Sequence, residues 1–270
     1  YTTTFTVPEE ELNAIKEIAN SIHINAKQNK SIQNGYLMGA EEGVFLFGTY
    51  RFKKGKEAGV TTSPLEQDMN RILQRISEAK RQADYVLVSI HSHEMNGGSM
   101  EEPAEFLKIF SRRCIDEGAH SVIGHGPHML RGIEIYKKRP IFYSLGNFIF
   151  QNETISRLPA DSYGKYGLGP ANVPADVFDA RSAKGTRGYY VNPKVWSSVV
   201  PYWTMENGEL TKLALHPIQL GFDQPRQRRG WPVLSNDILP LLSIQELSAP
   251  FGTEIKIDGS VGKVVLNHQN

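Results

Sequence analysis

Apolar residues recur at helical spacing in three stretches of the amino-acid sequence, 8–23, 63–76 and 103–118. A proline stands at or near the start of each, where its missing N–H costs no helical hydrogen bond. The pattern therefore predicts three helices. A fourth is expected over 235–248.

Shorter apolar runs predict strands over 44–48, 84–90 and 120–123. Residues 84–90 are apolar at alternating positions on both sides, which is typical of a fully buried, central strand in a parallel sheet. Two further runs, 132–136 and 140–144, are separated by three basic residues and predict a hairpin.

The second half of the chain has a different pattern. From 151 to about 195 it is rich in Gly, Pro, Ser and Asp without a sustained period, which predicts a long surface excursion. Hairpins are expected over 196–220 and 253–266. We therefore divide the chain into a core over 1–150, the excursion over 151–195, and a β-rich extension over 196–270 that packs on the same core.

Composition narrows the function classes. Thirty Lys and Arg balance 29 Asp and Glu, so no overall field favours nucleic acid. The single cysteine, Cys114, excludes disulfides within the chain and a metal site built of thiolates. No apolar run approaches the ~20 residues of a membrane span, and no signal peptide is recognisable. Because the first residue is Tyr1, we expect a processed or truncated product.

Histidines follow two of the predicted strands. His91 ends the strand 84–90, and His125 and His128 follow the strand 120–123. Ligands gather beyond the carboxyl ends of strands in layered α/β folds, and neutral imidazole suits zinc, manganese and iron. We therefore predict that His91, His125 and His128 bind metal. The remaining histidines are predicted to make structural hydrogen bonds: His23, His93, His120, His216 and His268.

Five segments resemble the CapA family of bacterial capsule and poly-gamma-glutamate synthesis proteins, within the calcineurin-like metallophosphoesterase superfamily. They are Val86-Leu-Val-Ser-Ile-His-Ser-His-Glu94, Ile115-Asp-Glu-Gly-Ala119, Val122-Ile-Gly-His-Gly-Pro-His128, Gly132-Ile-Glu134 and Pro140-Ile-Phe-Tyr-Ser-Leu-Gly-Asn-Phe148. The resemblance implies an α/β fold, a four-layer α/β/β/α sandwich of two sheets between helices. It also implies a bacterial protein of the cell envelope or extracytoplasmic space.

The resemblance implies one or two divalent ions, of zinc, manganese or iron, held by Asp, Asn and His at strand ends. His91 matches the lone histidine of the later motifs, and His125 and His128 match the closing pair. Common members have Trp-Gly where this chain has Ser92-His93, so the surroundings of the metal are expected to differ.

The family's first motifs, Asp-x-His, Gly-Asp and Gly-Asn-His-Glu, are not found before Val44. The chain therefore resembles the carboxy-terminal part of the family, and the fold is expected to be incomplete on its amino-terminal side. Two dications need bridging carboxylate charge that three neutral imidazoles cannot provide. Either an amino-terminal segment or another capsule-synthesis protein completes the site, or the site holds a single ion.

Carboxyl and amide side chains near the histidines supply the candidate catalytic groups. Glu94 is expected to be a fourth ligand or a general base, and equally fits a loop acid. Asn147 is expected either to orient substrate or to stabilise a turn. His93 and Glu134 are expected to contact the ligands from outside, with Arg131 or a histidine nitrogen as the partner of Glu134.

Three residues are candidates for binding substrate. Arg131 follows the last histidine by three positions and fits a clamp for phosphate or carboxylate. Tyr143 lies on the strand 140–144. Arg228 belongs to the basic run 226–231, which fits an anionic polymer or, alternatively, a solvated loop.

These residues lead to two hypotheses. The first is a metal-dependent hydrolase of the metallophosphoesterase type, acting on a phosphoester or on another bond that metal-activated hydroxide can attack, in capsule or poly-gamma-glutamate biosynthesis. The second is a non-catalytic accessory that uses the same fold to bind an anionic capsule polymer. We expect no nucleic-acid partner in either case.

Overall fold

The computed structural model describes residues 1–266, which form two compact units. The first contains 1–72 and 104–110, and the second contains 73–103 and the chain from 111 onward. His268 lies outside the described residues. Helices and several sheets occur in both halves of the sequence, so the α/β class is confirmed. No helix within 1–266 is both long and apolar enough to cross a bilayer.

The first unit is built on a four-stranded sheet in the order β2-β3-β1-β4. Helix α1 packs on β2 and β3, with Leu12 and Ala19 buried. The predicted first helix and the strand at 44–48 are confirmed, whereas α2 and three of the strands carry too little apolar patterning to have been predicted. The elements are β1 (Thr2–Val7), α1 (Glu9–Ser21), α2 (Ala26–Gln33), β2 (Val44–Phe47), β3 (Tyr50–Lys54) and β4 (Gly59–Ser63).

Two helices begin in the first unit and end in the second. The strands that bear the histidines belong to the second unit. These strands form a sheet in the order β5-β8-β10-β9, parallel except for the β10–β9 pair. The elements in chain order are α3 (Glu66–Lys80), β5 (Leu87–His91), β6 (Met95–Asn96), β7 (Ser99–Pro103), α4 (Glu105–Glu117), β8 (Ser121–His125), β9 (Ile133–Tyr136) and β10 (Arg139–Phe142).

Strand β5 corrects one prediction. It is parallel to its neighbour, as expected, but it is not central: within 1–266 only β8 pairs with it. Leu87 is accordingly 51% exposed. The predicted full burial is also wrong, because Leu87, Ser89 and His91 are exposed and the residues between them are only partly buried. An apolar run alone does not tell how many neighbours a strand has or how far they cover it. The outer edge of β5 offers backbone groups to a further strand.

In the rest of the second unit, a further sheet packs against the β5-β8-β10-β9 sheet. This sheet has the order β11-β12-β15-β14, with the short β13 beside β12. Apolar side chains of β9 and β10, such as Ile133 and Phe142, share a core with Leu215 and with Ile244 of α7. Both predicted hairpins and the helix are confirmed. The elements are β11 (Ser197–Glu206), β12 (Glu209–Gln219), β13 (Val233–Leu234), α7 (Leu239–Ser248), β14 (Ile255–Asp258) and β15 (Val261–Val264).

The excursion over 151–195 contains more regular structure than its composition suggests. It holds α5 (Ala160–Gly164), α6 (Pro174–Ser182) and two short 3-10 helices, Gly188–Val191 and Pro193–Trp196. Helix α6 begins at a proline, and the Asp176 side chain accepts a hydrogen bond from the backbone N–H of Val173. Such caps depend on single residues, so they leave no periodic signal in the sequence.

One buried carboxylate ties the excursion to the loop after β12. Glu153 is buried, and its carboxylate pairs with Arg226 at 2.6 Å and also with Arg229. Arg226 reaches Asp179 at 2.6 Å as well. Because the guanidinium of Arg229 lies over the ring of Trp196, the ion pairs and the aromatic core hold the excursion together.

We expect Glu153→Gln to lower the free energy of unfolding by about 3 kcal/mol, because it leaves partly buried guanidinium groups without their counter-charge. Equilibrium unfolding in urea measures the loss, and protease cleavage between 151 and 195 should become faster. Asp161→Asn, which neutralises an exposed acid of the same excursion, is the control. Equal stability of the two variants would contradict the assigned role of Glu153.

His120 predicts a dependence of stability on pH. Its ring is buried, and its Nδ1 accepts a hydrogen bond from the backbone N–H of Val86 at 2.9 Å. Burial, followed by the charges of Arg139 and Lys80, lowers the pKa of His120. The unfolded chain therefore takes up this proton first, and stability falls as the pH drops below the ordinary histidine value of about 6.5.

We expect His120→Asn to reduce this loss of stability at low pH. The Oδ1 atom of the new asparagine still accepts the hydrogen bond from Val86, but the side chain does not titrate. The slope removed is at most about 1.4 kcal/mol per pH unit for one proton. Urea unfolding at pH 7.5 and pH 5 measures it, with the exposed His23→Asn as control. An unchanged slope in His120→Asn would show that other groups cause the acid sensitivity.

Candidate functional site

The register of one strand pair places two of the predicted ligands side by side. Strands β5 and β8 run parallel, and His91 lies opposite His125 at their carboxyl ends. The loops that follow stay in contact, because the N–H of Ser92 donates to the carbonyl of His125 at 2.8 Å. The two histidines therefore share one edge of the sheet, as the sequence predicted.

Four histidines form a continuous row at this edge, in the order His125, His91, His93, His128. The Nδ1 atoms of His125 and His91 lie 3.0 Å apart, and so do the Nε2 atoms of His91 and His93. The rings of His93 and His128 have centroids 5.5 Å apart. Beyond the other end, the Oγ of Ser89 lies 3.0 Å from the Nε2 of His125. We call these four residues the histidine row.

Neutral rings fit this row. A neutral imidazole has one N–H and one lone pair, so His91 donates to one neighbour and accepts from the other. Burial, then the adjacent His128 and His91, lowers the pKa of His93. Burial and then His91 lower that of His125. His93 and His125 are therefore biased towards the neutral form, which is the form that binds metal ions.

Asn147 fixes the tautomer of His128. Its Nδ2 donates to the carbonyls of Val195 at 2.9 Å and His128 at 3.3 Å. Because carbonyls only accept, the amide must turn its Oδ1 towards the ring, where it lies 2.9 Å from the Nδ1 of His128. That nitrogen therefore carries the proton, and the lone pair is on Nε2. Asn147 thus contacts a histidine and serves as its positioning residue.

The turn that carries His125 and His128 depends on unusual backbone angles. Gly126 has φ 129°, and a Cβ atom there would lie 2.8 Å from the carbonyl oxygen of Ser92. His128 itself has φ 63°, a left-handed value that is uncommon for residues other than glycine. Such angles cost free energy and concentrate at functional sites.

The structure contradicts the predicted role of Arg131 as a clamp for phosphate or carboxylate. Its side chain is fully buried and donates to the carbonyls of Met100 and Glu94, both at 2.9 Å. Burial lowers its pKa to about 10, so the guanidinium stays charged at neutral pH. Arg131 therefore holds the loop that carries His93 and Glu94 and does not face a substrate.

Two further predictions change with the structure. Glu134 accepts hydrogen bonds from Arg112 and from the hydroxyl of Tyr143 at 2.6 Å, so its partner is neither Arg131 nor a histidine. Tyr143 is only 1% exposed, which removes it from the surface that a substrate could reach. Glu134 lies on β9 as predicted, whereas Tyr143 follows the end of β10. Alternation along a strand does not tell which partner a buried polar group meets.

The basic run after β12 is largely engaged within the chain. Arg226 and Arg229 pair with Glu153, whereas Arg228 and Trp231 are exposed. Glu94 is half-buried and accepts a hydrogen bond from the Ser92 hydroxyl at 2.7 Å. The predicted roles of Arg228 with a polymer and of Glu94 in catalysis stay predictions.

Sequence reasoning missed an aromatic wall beside the row. The ring of His128 lies 5.2 Å, between centroids, from the rings of both Phe150 and Tyr189. Tyr189 comes from the far end of the excursion, 61 positions after His128. The only local signal is the pair Tyr189-Tyr190 after a glycine in a polar segment.

The donor set suits a transition metal but does not form a closed cage. Within residues 1–266, no three His, Cys, Asp or Glu side chains are arranged to hold one ion. The 3.0 Å spacing of paired nitrogens fits a hydrogen bond, and also fits adjacent ligands at about 2.1 Å from an ion. The shared ion of His91, His125 and His128 stays a prediction.

Comparison with known proteins identifies the family. The model of the family described as bacterial capsule synthesis protein PGA_cap matches residues 3–152. An uncharacterized protein of Sinorhizobium fredii, y4sH, is 39% identical over 83% of this chain and 50% of its own length. The PGA biosynthesis protein CapA of Bacillus subtilis is 32% identical over 56% of this chain and 41% of its own.

A third relative is a probable polyglutamine synthesis accessory protein of Mycobacterium tuberculosis. It is 33% identical over 34% of this chain and 24% of its own length. The chain therefore spans about half the length, or less, of the curated relatives it matches.

The Asn147 contact predicts which nitrogen of His128 is protonated. Nitrogen-15 NMR of the ring at pH 8 should show the Nδ1–H tautomer, since Oδ1 of Asn147 faces Nδ1. Asn147→Leu, similar in size but without an acceptor, should shift His128 towards the Nε2–H form that predominates in free imidazole side chains. The His216 signals are the control in both samples. A pure Nε2–H signal in the unsubstituted chain would contradict the assignment.

Proposed function

Because the chain belongs to the PGA_cap family of bacterial capsule synthesis proteins, we propose that it acts in capsule or poly-gamma-glutamate biosynthesis as a metal-dependent hydrolase of the metallophosphoesterase type. The observation that supports this most is the strand register. It sets His91 opposite His125 with ring nitrogens 3.0 Å apart, at the carboxyl ends of parallel strands. Ligand sites in layered α/β folds occur at such ends.

The proposed ligands are His91, His125 and the Nε2 atom of His128. A divalent zinc, manganese or iron ion bound there supplies Lewis acidity and lowers the pKa of a coordinated water. His93 lies within the row and so contacts His91 directly, which makes it an additional candidate ligand where common family members have glycine. Glu94 is the proposed general base, one loop position beyond His93.

Other side chains prepare these groups. Asn147 presents the Nε2 lone pair of His128, and Arg131 holds the carbonyls of the loop that bears His93 and Glu94. Outer partners of this kind typically change metal affinity 10–100-fold when they are removed. The free edge of β5 is the proposed docking place for a strand that brings carboxylates, from another part of the protein or from another capsule-synthesis protein.

A second function has its own support. No three His, Cys, Asp or Glu side chains within residues 1–266 are arranged around one point, and one relative is named as an accessory protein of polyglutamine synthesis. The alternative proposal is therefore a non-catalytic accessory that binds an anionic capsule polymer. Either role belongs at the cell envelope, where capsule polymers are assembled and carried outward.

Metal loading separates these proposals. We expect the chain to retain about one equivalent of zinc after dialysis and to release it to a chelator, because neutral imidazoles bind zinc. His125→Asn should weaken zinc binding by about tenfold or more, since it removes a ring nitrogen from the pair. Elemental analysis and calorimetry measure stoichiometry and affinity, and turnover of p-nitrophenyl phosphate measures hydrolysis.

His23→Asn makes the same substitution at an exposed histidine of the other unit, and it should leave zinc binding unchanged. Stoichiometric zinc without turnover would favour the accessory function. Zinc binding that is equal in His125→Asn and His23→Asn would exclude the histidine row as the metal site.

A further inference from the structure

Tyr189, near the end of the excursion, contacts His128 of the histidine row. Its ring lies against His128 and makes an edge contact with Phe150, with centroids 5.3 Å apart in the latter pair. The Nε1–H of the buried Trp196 donates to the carbonyl of Tyr189 at 2.7 Å. The ring is half-buried, and its hydroxyl has no hydrogen-bond partner among residues 1–266. Tyr189 therefore lies beside the histidine row, and its hydroxyl is available to donate a hydrogen bond to a ligand.

The position of Tyr189 is held at both ends of the excursion. Near its end, the carbonyl of Val195 accepts from Asn147, the same residue that orients His128. Near its start, Glu153 pairs with Arg226 and Arg229. The wall beside His128 is therefore a fixed part of the fold and needs no closing motion to reach the row.

Basic residues lie near the aromatic wall that Phe150 and Tyr189 form beside His128. The guanidinium of Arg181 lies 5.6 Å from the centroid of the Tyr189 ring. The segment 179–190 contains three basic residues (Arg181, Lys184, Arg187) and one acidic residue (Asp179), a net charge of +2. Arg187 donates to the carbonyls of Arg181 and Ala180 and so closes the end of α6.

The other arginines close to the row are engaged elsewhere. Arg131 is buried against backbone carbonyls, and Arg229 pairs with Glu153. Arg181, by contrast, is exposed and has no carboxylate partner within residues 1–266. A cation over the face of a tyrosine also makes the hydroxyl a better donor, because the ring electrons are drawn towards the charge.

We propose that Tyr189 and Arg181 form an anion subsite beside His128, which receives a negatively charged group of the substrate. The Tyr189 hydroxyl donates to an anionic oxygen, and Arg181 supplies charge behind the ring. The proposal rests on the proposed function for its place next to the reacting bond. The shared chemistry is a phosphate or carboxylate oxygen, so the subsite favours anionic esters or a polyglutamate chain over neutral substrates.

Calorimetry with two probes, inorganic phosphate and glutarate, tests the subsite with and without zinc. We expect Tyr189→Phe to weaken binding of the better probe about tenfold, the value of a hydrogen bond to a charged group. Arg181→Gln should weaken it less, about threefold, because the guanidinium lies behind the Tyr189 ring and acts through space near the surface. Zinc affinity should stay within about twofold in both variants, because neither residue is a ligand.

Tyr202→Phe and Arg81→Gln are matched controls, an exposed tyrosine on β11 and an exposed arginine just after α3. Stronger phosphate binding would identify an ester substrate, and stronger glutarate binding would identify the polymer. If zinc does not bind but the probes still distinguish Tyr189→Phe from Tyr202→Phe, the metal proposal fails and the subsite stands. Binding of neither probe, or equal losses in each variant and its matched control, would overturn the subsite.

Discussion

The site depends on the register of a single parallel strand pair. Because β5 and β8 pair with His91 opposite His125, two imidazoles from segments 34 positions apart meet without any loop having to fold back. A shift of one residue would move one of the two rings to the other face of the sheet. Val122 of β8 is fully buried and lies opposite Val88 of β5, so the apolar side of the pair favours the register that sets the polar geometry at its end.

Loops position His93 and His128, the other two histidines of the row. A side chain from another part of the sequence holds each loop. Asn147, after β10, fixes the ring of His128, while Arg131 fixes the carbonyls around His93 and Glu94. Both positioning residues are buried and use hydrogen bonds to backbone groups, which leaves them little freedom. The histidines can therefore be exposed to solvent and still keep defined orientations.

Periodicity predicted four helices (α1, α3, α4 and α7), the hairpins and the strand ends that carry His91 and His125, because each is a local pattern. It failed where the outcome depends on distant chain. The apolar run before His91 did not reveal an edge strand, and the buried charges of Arg131 and Glu134 could be located but not paired. Tyr189 could not be predicted at all, since its contact with His128 joins residues 61 positions apart and depends on the path of the whole excursion, which Glu153 holds through its ion pairs.

The charge around the row limits what the described residues can hold. Two dications about 4 Å apart repel by roughly 17 kcal/mol at an effective dielectric constant of 20, and neutral imidazoles offset none of this repulsion. The nearby Arg131 and Arg181 add positive charge, and Glu94 is a single carboxylate. We therefore expect a centre built from residues 1–266 to hold one ion, and we propose that a second ion would need carboxylates from elsewhere. The edge of β5 that no strand within 1–266 pairs is the place where such a segment could approach the row.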